Sequence, residues 1–113
     1  MDERLEKIQS IAGMTQDLEL AKLRAISGEL EQVEKHIADL RSQTKQQGVE
    51  LEIQDIGTYT KWIQWTNQKA VELNQERARK RVEFEQQKSI VQKATGRKNV
   101  LHKLVAQERK RRK

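Results

Sequence analysis

The chain has 113 residues with no cysteine and no proline, and 35% of its residues are charged against 35% apolar. A chain of this length is one domain at most, and without cysteine it has neither a disulfide framework nor a thiolate metal site. Globular domains run at about 45–50% apolar and ~25% charged, so this balance leaves either a long helical structure or a disordered chain.

Periodicity decides for helix. Residues 1–56 carry 7 Lys/Arg against 12 Asp/Glu, and residues 57–113 carry 16 against 5, giving nets of −5 and +11 within the overall +6. Both halves have helical patterning, so the division predicts two long helices of opposite charge folded back on one another. A thin hairpin of that kind has no enclosed cavity, which argues against an enzyme and places function on the surface and at the two ends.

The first predicted helix covers about 2–55. Asp2 is the expected N-cap, with Glu3 and Glu6 complementing the positive end of the helix dipole. Ile26, Leu30, Val33, Ile37, Leu40, Thr44, Gln47 and Leu51 alternate in steps of four and three. That repeat of about 3.5 residues is the seam of a left-handed coiled coil. Upstream, Ile11, Met14, Leu18, Ala21 and Ala25 keep the rhythm one residue out of phase, so a local change of supercoil is expected near Ala25.

Ile56-Gly57-Thr58 is the expected turn, with Gly57 left-handed at the end of the first helix and Thr58 capping the second. Gln47-Gly48 is a second candidate, but a break there would interrupt the cleanest heptads. Gly13, Gly28 and Gly96 fall inside helical pattern and read as weak points or surface positions.

The second predicted helix covers about 58–111. Its seam runs Ile63, Thr66, Ala70, Leu73, Arg77, Lys80, Phe84, Gln87, Val91, Ala94, Lys98, Leu101 and Val105. The stems of Arg77, Lys80 and Lys98 are expected to lie along it with their charges outward. Folding at Gly57 brings Leu40 to Leu73, Leu30 to Phe84, Leu51 to Trp62 and Ile8 to Val105. The whole is an all-α, long antiparallel two-helix coiled-coil hairpin over 1–113, expected to be monomeric.

Two surface features stand out. Tyr59, Trp62 and Trp65, just past the turn, are three of the four aromatics. They cannot all fit a seam that already takes Ile63 and Thr66, so one or two are expected exposed as interface anchors. The alternative is that they plug the tip against Leu51 and Ile53. The stretch 97–113 carries eight basic residues against one acidic. Leu101, Leu104 and Val105 make it amphipathic, so it fits a protein socket, a solvated terminal helix or an anionic surface. Nucleic acid is disfavoured because no aromatics are interleaved with the cations.

His36 and His102 lack metal-ligand spacing, and no phosphate loop or catalytic set can be assembled. No cofactor is expected. The opening Met-Asp-Glu-Arg-Leu-Glu-Lys has no signal-peptide core, and no run approaches the ~20 apolar residues of a membrane span. A cytoplasmic protein without direct membrane insertion is expected.

From the turn onward, over roughly 49–112, the chain resembles the FliJ/YscO family, the small stalk proteins of type III export systems in flagella and injectisomes. The likeness rests on a turn followed by Tyr59, Trp62 and Trp65. It continues through a Gln/Glu/Arg/Lys-rich helix and closes with Ala94, Lys98, Leu101, Leu104 and a basic end. The resemblance implies a coupling protein peripherally associated with a membrane export complex. Its terminal end would enter the pore of a hexameric export ATPase through Leu5, Ile8, Leu101, Leu104, Arg109, Lys110, Arg111, Arg112 and Lys113. Its tip, Tyr59, Trp62 and Trp65, would meet the membrane export gate and substrate chaperones. A generic coiled-coil scaffold or dimerisation protein, or a nucleic-acid binder using the basic C-terminal helix, are the alternatives.

Overall fold

The structure is a computed structural model that describes residues 2–112, apart from the side chains of Asp2 and of residues 49–54. It is all-α: helix α1, Asp2–Gln54, and helix α2, Ile56–Arg112, pack against each other in a hairpin. Helices of 53 and 57 residues form without interruption because no proline breaks the ladder and strong helix formers such as Glu, Gln, Lys, Arg, Leu and Ala predominate. The expected N-cap Asp2, the seam residue Leu51 and the plug residues Leu51 and Ile53 have side chains outside the described residues, as does Lys113.

The reversal falls within two residues of Gly57, but its chemistry differs from the expectation. No described glycine has a positive φ. Asp55 is the only described residue between the helices, and its side chain caps α2. Its Oδ1 accepts from the Gly57 N–H at 3.1 Å, its Oδ2 accepts from the Thr58 hydroxyl at 2.8 Å, and its carbonyl accepts from the Tyr59 N–H at 3.0 Å. Gly57 and Thr58 therefore belong to the first turn of α2, and Thr58 donates to the cap where it was expected to be one. Aspartate wins because one carboxylate can satisfy two donors of a helix start at once. α2 accordingly begins at Ile56, two residues before the sequence pattern places it.

Two compact units make up the hairpin, each containing part of both helices. The first unites Met1–Ile26 with Glu83–Lys113, so the two terminal segments pack together. Its buried side chains are Val91, Ala94, Val105 and the polar Gln87. The second, Ser27–Val82, buries Val33, Ile37 and Thr66 and includes the turn. No described side chain is fully buried. That follows from two-helix packing, where every seam residue keeps one edge toward solvent.

The α2 seam is the predicted one: each of its thirteen positions from Ile63 to Val105 is buried or half-buried. Its polar members find partners. Thr66 donates to the Ile63 carbonyl at 2.9 Å, Arg77 bonds Asn74, Lys80 pairs with Glu29 across the helices, and Lys98 donates to Gln16 Oε1 at 2.9 Å. Arg81 adds a cross-helix pair with Glu34.

On α1 the pattern holds from Ile26 to Thr44, with Gly48 half-buried in place of Gln47, which is exposed. Upstream it does not. Ile11, Met14 and Leu18 are 57–66% exposed, and Ala21 and Ala25 are exposed as well. The seam instead continues in the phase of Ile26 through Leu23, Glu19, Gln16, Ala12, Gln9 and Leu5. Keeping one phase avoids a change of supercoil, and α2 presents polar groups where α1 does. Gln16 donates to Thr95 Oγ1 at 2.9 Å, and Gln87 donates to both the Glu19 carbonyl at 3.0 Å and its carboxylate at 2.6 Å. A buried polar position is tolerated when its hydrogen bonds are made, and here they are made across the seam. Val105 consequently shares a depression with Leu5, while the expected partner Ile8 lies beside Leu101.

The carboxylates of Glu19 and Asp55 are both held below the usual range. The Gln87 amide is the main cause for Glu19, ahead of Lys22; the Thr58 hydroxyl is the main cause for Asp55, ahead of the Gly57 N–H. A depressed folded pKa contributes stability that is complete above the unfolded value of about 4 and disappears as pH falls through the folded value. Thermal melts followed by circular dichroism should therefore show the hairpin losing stability from neutral pH to about pH 3, with Asp55→Asn plus Glu19→Gln making the decline shallower.

Candidate functional site

At the start of α2 the three aromatics divide. Tyr59 and Trp62 stack with ring centroids 6.3 Å apart at 26°, and both are half-buried. The opposing α1 surface makes room for them at Gly48. A Cβ there would stand 3.1 Å from the Trp62 ring and 3.9 Å from the Tyr59 ring. Glycine at 48 is thus a close-approach position within a helix, not a turn. Trp65, one turn further on, is 53% exposed. Tyr59 and Trp62 serve the packing of this unit, and Trp65 offers an indole to solvent.

The terminal unit holds the other predicted group. Leu5 and Leu101 are half-buried, Ile8 and Leu104 are exposed, and Arg109, Lys110, Arg111 and Arg112 lie on the exposed surface of the last turns of α2. Four cations there suit the negative end of the helix dipole. Arg109 also reaches Glu6 at 3.8 Å, a long and exposed pair, which contributes little. Leu5 and Leu104 line one depression together with Lys110 and Arg111, so the structure brings these predicted residues to one surface. Ile8 and Leu101 line the next.

His102 Nδ1 lies 3.1 Å from Gln9 Nε2, and His36 is exposed on α1. Among the described residues no three His, Cys, Asp or Glu side chains gather as a metal site. No helix of the described residues is long and apolar enough to cross a membrane.

One exposed group was missed by sequence reasoning. Apolarity at the right rhythm points Ile11, Met14 and Leu18 to the seam, yet all three are exposed. The usable signal was the polar matching between Gln16 or Glu19 on α1 and Thr95, Lys98 or Gln87 on α2, which places polar residues of both helices inside.

Fold and surface together define an all-α helical hairpin whose distinctive exposed groups among the described residues are the Trp65 indole and a basic, partly apolar terminal surface. Comparison with protein-family models, with curated proteins and with solved structures finds no match to this chain.

Proposed function

We propose that the chain is a non-enzymatic stalk of a type III protein export apparatus. It works in the cytoplasm at a membrane export complex and links a hexameric export ATPase to the export gate and substrate chaperones. The observation that carries the reading is the division of groups on an antiparallel hairpin. The turn-containing unit exposes Trp65, and the unit that gathers both terminal segments exposes Ile8, Leu104 and the cations Arg109 to Arg112. A helical hairpin whose two units expose different groups suits a linker that does no chemistry of its own.

Pull-downs from source-cell lysate with single-surface variants test it. Trp65→Ala is expected to lose gate and chaperones while retaining the ATPase, because an exposed Trp is a frequent interface hot spot worth about 2 kcal/mol or more. Arg109→Glu with Lys110→Glu and Arg111→Glu is expected to do the reverse. Retention of every partner by both variants would remove the assignment.

The exposed apolar run Ile11, Met14 and Leu18 favours a second reading, a coiled-coil scaffold that packs with further helices. Solution mass of the purified chain separates the two: a monomer suits the stalk, and a stable dimer suits the scaffold.

A further inference from the structure

The two flanks of the seam in the terminal unit are unlike. On one, side chains bridge the helices: Glu6 to Arg109, Gln9 to His102 and Gln16 to Thr95. The opposite flank has three successive open depressions of about 680, 440 and 380 Å³. The first is lined by Leu5 and Leu104, the second by Ile8, Ile11, Val100 and Leu101, the third by Ala25, Ile26 and Ile90. Leu18 lies one heptad from both Ile11 and Ala25 and continues this line on α1. Ile8, Ile11, Leu18, Ile90, Val100 and Leu104 are all between 44% and 61% exposed.

The charge on this flank is mostly of one sign. Lys22, Arg97, Lys110 and Arg111 line the depressions, with Glu83 and Glu108 the acidic side chains among their lining residues. Lys93, one heptad before Val100, is exposed on the same line of α2. The unit as a whole carries 14 Lys/Arg against 8 Asp/Glu, so the entire net charge of +6 belongs to it.

We infer that this flank is a docking groove for an acidic amphipathic helix, which would complete a local three-helix coil. The apolar line of α1 keeps the repeat of about 3.5 residues, so a third helix with the same repeat can insert its knobs along the groove. The rim asks for carboxylates beside those knobs. A second copy of the chain would set +6 against +6, so the charge favours a partner of opposite sign. The inference stands on this geometry alone and does not require the export reading.

The test uses the full chain and a synthetic helix of about four heptads with Leu at the seam positions and Glu beside them. Glu–Glu repulsion keeps that peptide from pairing with itself at neutral pH. A control peptide has the same composition and charge with its Leu positions permuted. Fluorescence anisotropy at about 0.15 M salt reads binding. The patterned peptide is expected to bind at least about tenfold tighter than the permuted one. Ile11→Gln with Val100→Gln, and separately Lys93→Glu with Arg97→Glu, should each weaken it about tenfold or more. Lys88→Glu, an exposed change of equal charge per residue placed outside the groove, should alter affinity by less than about twofold.

Four results would overturn the inference. Equal affinity of the permuted and patterned peptides would do so, as would a loss of binding by Lys88→Glu as large as that of the groove variants. Duplex DNA bound at the same salt and released by Lys93→Glu with Arg97→Glu would make nucleic acid the occupant. A dimer of the chain abolished by Ile11→Gln would make it a second copy.

Discussion

Ile37→Ala is expected to destabilise the hairpin by about 2–3 kcal/mol, toward the lower part of the range for large-to-small core changes. Ile11→Ala is expected to move it by less than about 0.5 kcal/mol. Ile37 is 6% exposed in the seam beside Val33, whereas Ile11 is 61% exposed. The lower part of the range applies because a two-helix seam has solvent close on both flanks, so the space left by truncation is shallow. Urea unfolding followed by circular dichroism measures both. An equal loss for the two variants would mean that the seam changes phase near Ala25 and takes in Ile11, as the apolar pattern alone suggests.

The largest gain is expected from filling helical glycines. A Cβ added at Gly13, Gly28 or Gly96 meets nothing within 4 Å. Each change to alanine should recover up to about 1 kcal/mol of helix propensity, and the triple variant about 2–3 kcal/mol. In a chain of this size that raises the Tm by roughly 10 °C. Gly48→Ala should not share the gain, because its Cβ would stand 3.1 Å from the Trp62 ring and the indole would have to shift. A thermal melt of the triple variant beside Gly48→Ala checks both halves of the statement. A gain at Gly48 equal to that at the open sites would show that Trp62 does not pack there.

The contrast between these glycines shows what the sequence made legible. Periodicity located both helices, the complete α2 seam and the α1 seam from Ile26 to Thr44, because burial follows the same repeat that sequence displays. It also located the turn to within two residues. It misjudged the turn's mechanism because glycine and threonine are visible end signals, and the nearby aspartate is an equally good cap whose two acceptors prevail once Gly57 and Thr58 are brought beside it. It misjudged the start of α1 because apolarity was read one helix at a time. Gln16, Glu19, Gln87 and Lys98 lie in the seam only because their hydrogen-bonding partners stand on the other helix, and that information belongs to the pair. At the aromatic segment, the sequence showed that three rings would not all fit. Which ring is exposed depended on Gly48 opening a place for Trp62, a contact between positions fourteen residues apart in the chain.

A stalk that couples two partners must hold both at once, so the most direct measurement is whether both bind the hairpin together. Export ATPase immobilised through a tag, loaded with the chain and then offered the cytoplasmic part of the gate protein, reads this by mass photometry or surface plasmon resonance. The expected result is a ternary complex that forms with the unaltered chain and is lost with Trp65→Ala, while ATPase binding stays intact in that variant. Displacement of one partner by the other, or no binding of either, would contradict it.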